Sequence, residues 1–258
     1  MSTGTYAPKP GAAPVGRMIA AQTALETRML LRNGEQLLLT VIIPSLLLVL
    51  FSTVDIIDIT GTGSDRAVDF LAPGILALAV MSTAFTGQAI ATGFERRYGV
   101  LKRLGASPLP RWALMTAKTL SVLVTEVLQI ALLTAIALGL GWSPHGNPLS
   151  VLVLLVLGTA AFSGLGLLMA GTLKAEATLA AANLVFLLLL VGGGVIVPLA
   201  KFPDAARSVL ELLPISALSD GLRAVLQDGA ALPWGDALTL AVWAVLGLGA
   251  AAKFFRWE

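Results

Sequence analysis

Apolar positions in this chain come in long blocks of Ala, Leu, Val and Ile, separated by short polar links. Six blocks stand out, at about 36–54, 70–93, 112–140, 149–172, 177–198 and 234–253. Each is close to or above the ~18–20 residues a helix needs to cross the hydrocarbon core of a bilayer. The pattern predicts an all-α membrane protein with six transmembrane helices. Pro44 is expected to kink the first. The third block is longer than a membrane requires, so its first turns project beyond the bilayer or the helix tilts. Only the link 173–176 joins the fourth block to the fifth.

Two stretches outside the blocks are also patterned. Residues 17–33, RMIAAQTALETRMLLRN, are basic and helix-compatible, but Arg28 and Arg32 fall near Met18, Leu25 and Met29 instead of on a separate side. An interfacial helix whose arginines meet lipid phosphates is expected there. The preceding 1–16, with Pro8, Pro10 and Pro14, reads as a disordered tip, leaving 17–258 as a single transmembrane domain. The first apolar run starts only at Leu37, too late for a cleavable leader, so the N-terminus is expected to be retained. In 199–233, Phe202, Ala206, Val209, Leu210 and Leu213 recur at helical spacing until Pro214. Leu218, Leu222, Val225 and Leu226 then repeat the pattern, with Asp220, Arg223 and Gln227 opposite. This reads as two short amphipathic helices on the outer leaflet, or as a small extracellular cap.

Composition agrees: 57% of the 258 residues are hydrophobic and 12% charged, about half the usual charged fraction of a soluble domain. There is no cysteine and one histidine, His145, which excludes disulfides, thiolate chemistry and a histidine metal cluster within one chain. A formal net charge of +2 gives no reason to invoke nucleic acid. With the N-terminus inside, 13 of the 17 Lys and Arg residues fall on the cytoplasmic side, so both termini are expected in the cytoplasm. Asp55, Asp58, Asp65 and Asp69 gather in the first outer loop.

The densest positive charge lies between the second and third blocks, in FERRYGVLKRLGASPLPRW. On a helical wheel Phe94, Tyr98, Leu101 and Leu104 share one side and Glu95, Arg96, Lys102 and Arg103 the other, with Arg97 at the boundary. Gly105 can stop such a helix, and Pro108 and Pro110 stiffen the return to the third span. An ordinary positive-inside loop needs none of these devices; a docking helix for protein or lipid uses all of them.

This run, continuing into ALMTAKTLSVL, closely resembles the cytoplasmic signature of ABC type-2 transporter permeases, roughly E-R-E-x-G-T-L-x-x-L-x-x-T-P-L/V with an aromatic residue and a Lys soon after. Glu95, Arg96, Gly99, Leu101, Leu104, Pro108 and Lys118 match, while Arg97, Val100 and Ser107 depart mildly. A second likeness spans 173–226, through Ala182, Asn183, Pro198, Phe202, Pro203, Leu213, Pro214, Leu222 and Arg223. There Gly192, Gly193 and Gly194 stand where many members have Ser-Gly. The resemblance covers the chain from about residue 17 and is nearest to drug and natural-product exporter permeases of the daunorubicin-resistance type. It implies a permease in the bacterial plasma membrane that pairs with a second permease chain, as a homodimer, and binds two ATPase subunits. The segment after the second span is then a coupling helix, with Glu95, Arg96, Tyr98, Gly99, Lys102 and Arg103 as docking residues. ATP and Mg belong to the partner ATPase, and no cofactor is expected in this chain.

The residues agree that the energy source is borrowed. A phosphate-binding loop requires G-x-x-x-x-G-K-S/T, and the nearest fragment, Gly171 to Lys174, lacks it. Glu126 is the one acidic residue well inside a block, where a carboxylate must be protonated, paired or near water. Gln88, Gln129 and Asn183 are candidates to accompany it, either on a translocation path or in an inter-helix hydrogen bond. Ser163-Gly164 admits an intramembrane protease or scaffold as the alternative class, but that chemistry needs a base beside the serine. Close packing through Gly158, Ser163, Gly164 and Gly166 is the simpler reading.

Overall fold

The computed structural model describes residues 11–54 and 66–256, and helices make up its regular structure throughout. The expected tip therefore lies mostly outside the described residues, as do Asp55, Asp58 and Asp65. Helix α1, Val15–Arg32, starts on Pro14 and packs along the third span. Next comes one irregular apolar run: α2 (Gly34–Leu37), a π-helical turn (Leu38–Ile42) and α3 (Ile43–Thr53). The irregularity falls before Pro44 for a physical reason. An α-helical donor to the Thr40 carbonyl would be the backbone N–H of residue 44, which proline lacks.

Among the described residues, five helices are long and apolar enough to cross a membrane: Ala67–Arg97, Trp112–Gly139, Pro148–Thr172, Ala175–Gly192 and Trp234–Phe254. The apolar helix at Thr40–Thr53 is shorter. The first of the five is itself compound: α4 (Ala67–Val80), a second π-helical turn (Met81–Gly87) and α5 (Gln88–Arg97). The others are α7 (Arg111–Gly139), α8 (Pro148–Thr172), α9 (Ala175–Gly192) and α12 (Trp234–Phe254), with α6 (Val100–Gly105) between α5 and α7. Every residue from Phe70 to Phe85 is buried. A helix apolar all round belongs in the centre, and α4 with its π-turn packs against α3, α7, α8, α9 and α11.

The fifth span is the clearest correction. It was expected to run to 198, but α9 ends at Gly192, and Gly194 turns the chain with φ of 67°. Three successive glycines are poor helix formers, and the left-handed conformation suits only glycine well. Past a 3₁₀ turn at Leu199–Lys201 come the two expected short helices, α10 (Asp204–Leu210) and α11 (Pro214–Leu226). They differ in kind. No residue of α10 is buried, whereas α11 is wedged among α4, α8 and α12. Trp243 of α12 donates its indole N–H to the Leu212 carbonyl at 2.9 Å, which pins the junction between them.

Helices α8 and α12 approach closely where small residues meet. A Cβ on Gly164 would lie 2.5 Å from the Leu248 nitrogen and 2.7 Å from the Gly247 carbonyl carbon. Gly158 similarly faces Leu218, and Gly166 faces the π-turn carbonyls of Ala84 and Phe85. The small residues of the fourth span thus serve packing. Ser163 is fully buried, and its hydroxyl has no partner among the described residues.

Candidate functional site

The basic segment after the second span is two pieces, not the single helix 94–104 that the wheel assumed. Helix α5 continues through Arg97; then Gly99, with φ of 71°, turns the chain into the short α6. A left-handed residue costs glycine nothing but interrupts a continuous helix. On α6, Leu101 is buried and Lys102 and Arg103 are exposed. Tyr98, 66% exposed at the turn, stacks on Phe94 with ring centroids 6.2 Å apart and lies under the Arg97 guanidinium at 5.9 Å.

The break separates residues that the wheel had grouped. Glu95 faces inward, where Lys118 Nζ of α7 donates to its Oε2 at 2.6 Å. The same ammonium donates to Glu26 Oε1 of α1 at 3.0 Å, and Gln22 Nε2 supports that oxygen at 2.9 Å. All three charged side chains are 15% exposed or less. Two carboxylates around one ammonium thus join α1, α5 and α7 at a single point. Arg96 turns the other way and donates to the Leu173 carbonyl, while Arg97 pairs with exposed Glu176. The backbone N–H of Arg256 donates to the Gly171 carbonyl at 3.0 Å. The link between α8 and α9 is therefore strapped to the end of the second span. Of the six expected docking residues, Tyr98, Lys102 and Arg103 project, Gly99 makes the turn, Arg96 braces the neighbouring link, and Glu95 belongs to the buried triad. The sequence reading missed Glu26. Its one available signal was that it is the lone carboxylate in 17–33.

A second group of polar residues crosses the middle of the helices. Gln129 of α7 donates Nε2 to the Thr40 carbonyl, the one deprived by Pro44, and accepts from Thr83 Oγ1 at 2.8 Å. One side chain therefore bridges the π-turns of both irregular helices. Glu126, a turn away, accepts from Thr159 of α8, and its Oε1 has no partner among the described residues. Gln88 is buried, neither of its amide atoms has a partner among the described residues, and it lines a cavity of about 20 Å³ together with Thr83, Thr92, Ser121, Lys118 and Glu26. That space is about the size of one water. Asn183 does not join the group: it is exposed on α9 and donates Nδ2 to the Leu179 carbonyl at 3.0 Å.

Residues 19–226 match the family described as ABC-2 type transporter. The chain belongs to that family. It is also 25% identical, over 232 residues, to the "Putative transport permease YvfS" of Bacillus subtilis (strain 168), covering 89% of this chain and 93% of that one. This ABC-2 permease is accordingly the membrane subunit of an ABC transporter, for which the family implies an ABC ATPase partner. It is a multi-pass membrane protein, and in a bacterium its place is the plasma membrane.

At the opposite end, the permease contradicts the expected placing of Arg223 on a polar face. Arg223 is 9% exposed. Its Nη2 donates to the carbonyls of Gly194 at 2.7 Å and Val195 at 3.0 Å, and its Nε to that of Phe70 at 3.3 Å. The guanidinium also lies 4.0 Å from the Phe70 ring centroid and pairs with Asp220 at 2.9 Å. The reason is local: the glycine break after α9 leaves carbonyls without helical donors, and a planar fork of N–H groups can serve several at once. Burial lowers the Arg223 pKa from its ordinary value, and the Asp220 carboxylate pulls it partly back. Gly74 makes room for the fork, since a Cβ there would lie 2.6 Å from the Val195 oxygen and 2.8 Å from Arg223 Nη2. Pro214 and Leu222 are buried beside this cap, whereas Phe202 and Pro203 sit at the more exposed start of α10.

Proposed function

We propose that this permease is half of an exporter, in which two copies form the membrane path and separate ATPase subunits bind ATP and Mg. The irregular run 34–53 counts as the first of six spans, which puts both termini on one side. The concentration of 13 of 17 Lys and Arg residues on that side makes it cytoplasmic. The observation that carries the docking assignment is the shape of the basic end: α6, presenting Lys102 and Arg103, hangs by Gly99 from the helix buried most deeply in the fold. Tyr98, Lys102 and Arg103 meet the ATPase; Arg96 and Glu95 hold the helix ends that receive the push. ATP-driven closure of the ATPases displaces α6, and the Glu26–Lys118–Glu95 triad moves α1, α5 and α7 together. The π-turns joined by Gln129 are where the first two spans bend, since such turns recur at functional sites.

Reversing both exposed charges, K102E with R103E, is expected to abolish co-purification of the ATPase subunit while leaving membrane insertion intact. Retention of the ATPase by that variant in detergent defeats the docking assignment.

Pairing of permease chains rests on α9. Its outward side carries Leu184, Leu187, Leu188 and Val191, each more than half exposed, with Asn183 among them. An amide on an apolar membrane face is better satisfied by a neighbouring helix than by lipid. The chain has no cysteine, so Asn183→Cys provides a single reporter. It is expected to form a disulfide-linked dimer on mild oxidation in membranes, whereas Leu128→Cys, exposed on α7, is not. Likeness to drug and natural-product exporter permeases supports a hydrophobic or amphipathic cargo: a drug, a natural product or a lipid-like molecule. Family likeness supports export as the direction.

A further inference from the structure

Helix α1 covers α7 only in part. Beside their contact lies an open groove of about 920 Å³, lined by Ile19, Ala20 and Ala24 of α1 and by Leu120, Leu123 and Val124 of α7. Its walls are almost wholly apolar, and its volume is within the roughly 300–1,000 Å³ of ligand pockets. Arg28 and Arg32 border this groove and also a second cleft, of about 550 Å³, lined with them by Leu25, Met29 and Asn33. Both arginines are exposed, and neither has an ion-pair partner among the described residues. Spacing of four places their guanidinium groups on one helix face, about 6 Å apart along the axis. The one carboxylate of α1, Glu26, is turned inward and held by Lys118, so the outward charge of the helix is positive.

We propose that α1 and α7 form a site for one anionic phospholipid. Arg28 and Arg32 hold its phosphate, and its acyl chains fill the groove against Leu120, Leu123 and Val124. Apolar walls beneath paired cations match such a molecule in both charge and polarity. A lipid so held presses α1 against α7 and keeps Glu26 within reach of Lys118, so headgroup charge bears on the buried triad. The proposal rests on α1 lying at the membrane boundary and is independent of ATPase docking.

The test is native mass spectrometry of the purified full-length chain in detergent, with phosphatidylglycerol or phosphatidylcholine added. The expected result is one tightly retained phosphatidylglycerol, preferred over phosphatidylcholine by about 10- to 30-fold for two arginines. R28Q with R32Q is expected to remove the preference, and R28K with R32K to keep most of it. Ala24→Phe, which fills the groove, is expected to lower retention of both lipids. Equal retention of the two lipids, or an unchanged preference in the glutamine variant, overturns the proposal. So does a second copy occupying the groove, seen as dimer mass lost on Ala24→Phe. K102E with R103E must keep the lipid preference even where ATPase binding is lost, which separates failure of this site from failure of the docking assignment.

Discussion

Lys118→Met is expected to cause the largest loss of stability of any substitution at the basic end, with transport lost alongside it. The ammonium is the one positive charge between Glu26 and Glu95, and without it two nearly buried carboxylates face each other. Removing one partner from a buried ionic group costs about 3–5 kcal/mol, because the remaining charge is left uncompensated. Protonation of one carboxylate limits the penalty but leaves the inter-helix link broken. The decisive comparison is with E26Q, E95Q and K118M combined. Replacing a whole buried ionic group is often neutral, so most of the thermal stability in detergent should return. ATP-driven transport should not return, because the three helices no longer move as one unit. A Lys118→Met chain that melts with the parent shows that the triad contributes nothing to the fold. A triple variant with full transport shows that it is structural only.

The second large effect is expected at Arg223. Two contributions compete there, the ion pair with Asp220 and the bonds to three carbonyls. The Asp220 side chain is 42% exposed, and exposed pairs contribute about 0–1 kcal/mol. Each buried carbonyl left without a donor costs about 1–3 kcal/mol. Phe70 lies inside α4, where its carbonyl keeps the helical N–H of Gly74 as donor, so the non-helical carbonyls of Gly194 and Val195 dominate. Arg223→Met should cost about 3–5 kcal/mol and loosen the 193–198 turn, whereas Asp220→Asn should cost little. Arg223→Lys should not rescue, since a point charge cannot serve divergent carbonyls as a planar fork does. Detergent unfolding of the three variants reads this directly. Equal losses for Asp220→Asn and Arg223→Met mean that the ion pair is the stronger contribution.

These two sites also mark where the sequence could and could not be read. Apolar blocks locate the long helices well, because the bilayer demands a minimum length of uninterrupted apolar chain. They do not locate helix ends. The second span runs on through Glu95, Arg96 and Arg97, because nothing stops a helix when it leaves the hydrocarbon; the fifth stops early because glycine does stop it. The helical wheel of 94–104 failed at Gly99, a residue whose backbone freedom the wheel ignores. The helical spacing read in 199–233 failed at Arg223 for a different reason: the groups that draw the arginine inward belong to Phe70 and to residues 194–195, distant in sequence. Glu26 and Lys118, 92 positions apart, likewise meet through tertiary packing that no periodicity encodes. Glu126 was legible because a carboxylate in an apolar helix is conspicuous, yet only the structure pairs it with Thr159.

The continuous burial of residues 70–85 has a mechanical consequence. A helical stretch buried on all sides has little apolar surface to match to the hydrocarbon, so thinning or thickening the bilayer strains its neighbours first. Over those residues the second span is insulated from the bilayer, which under the proposed docking of the ATPase at α6 makes it the part of the fold least disturbed by lipid.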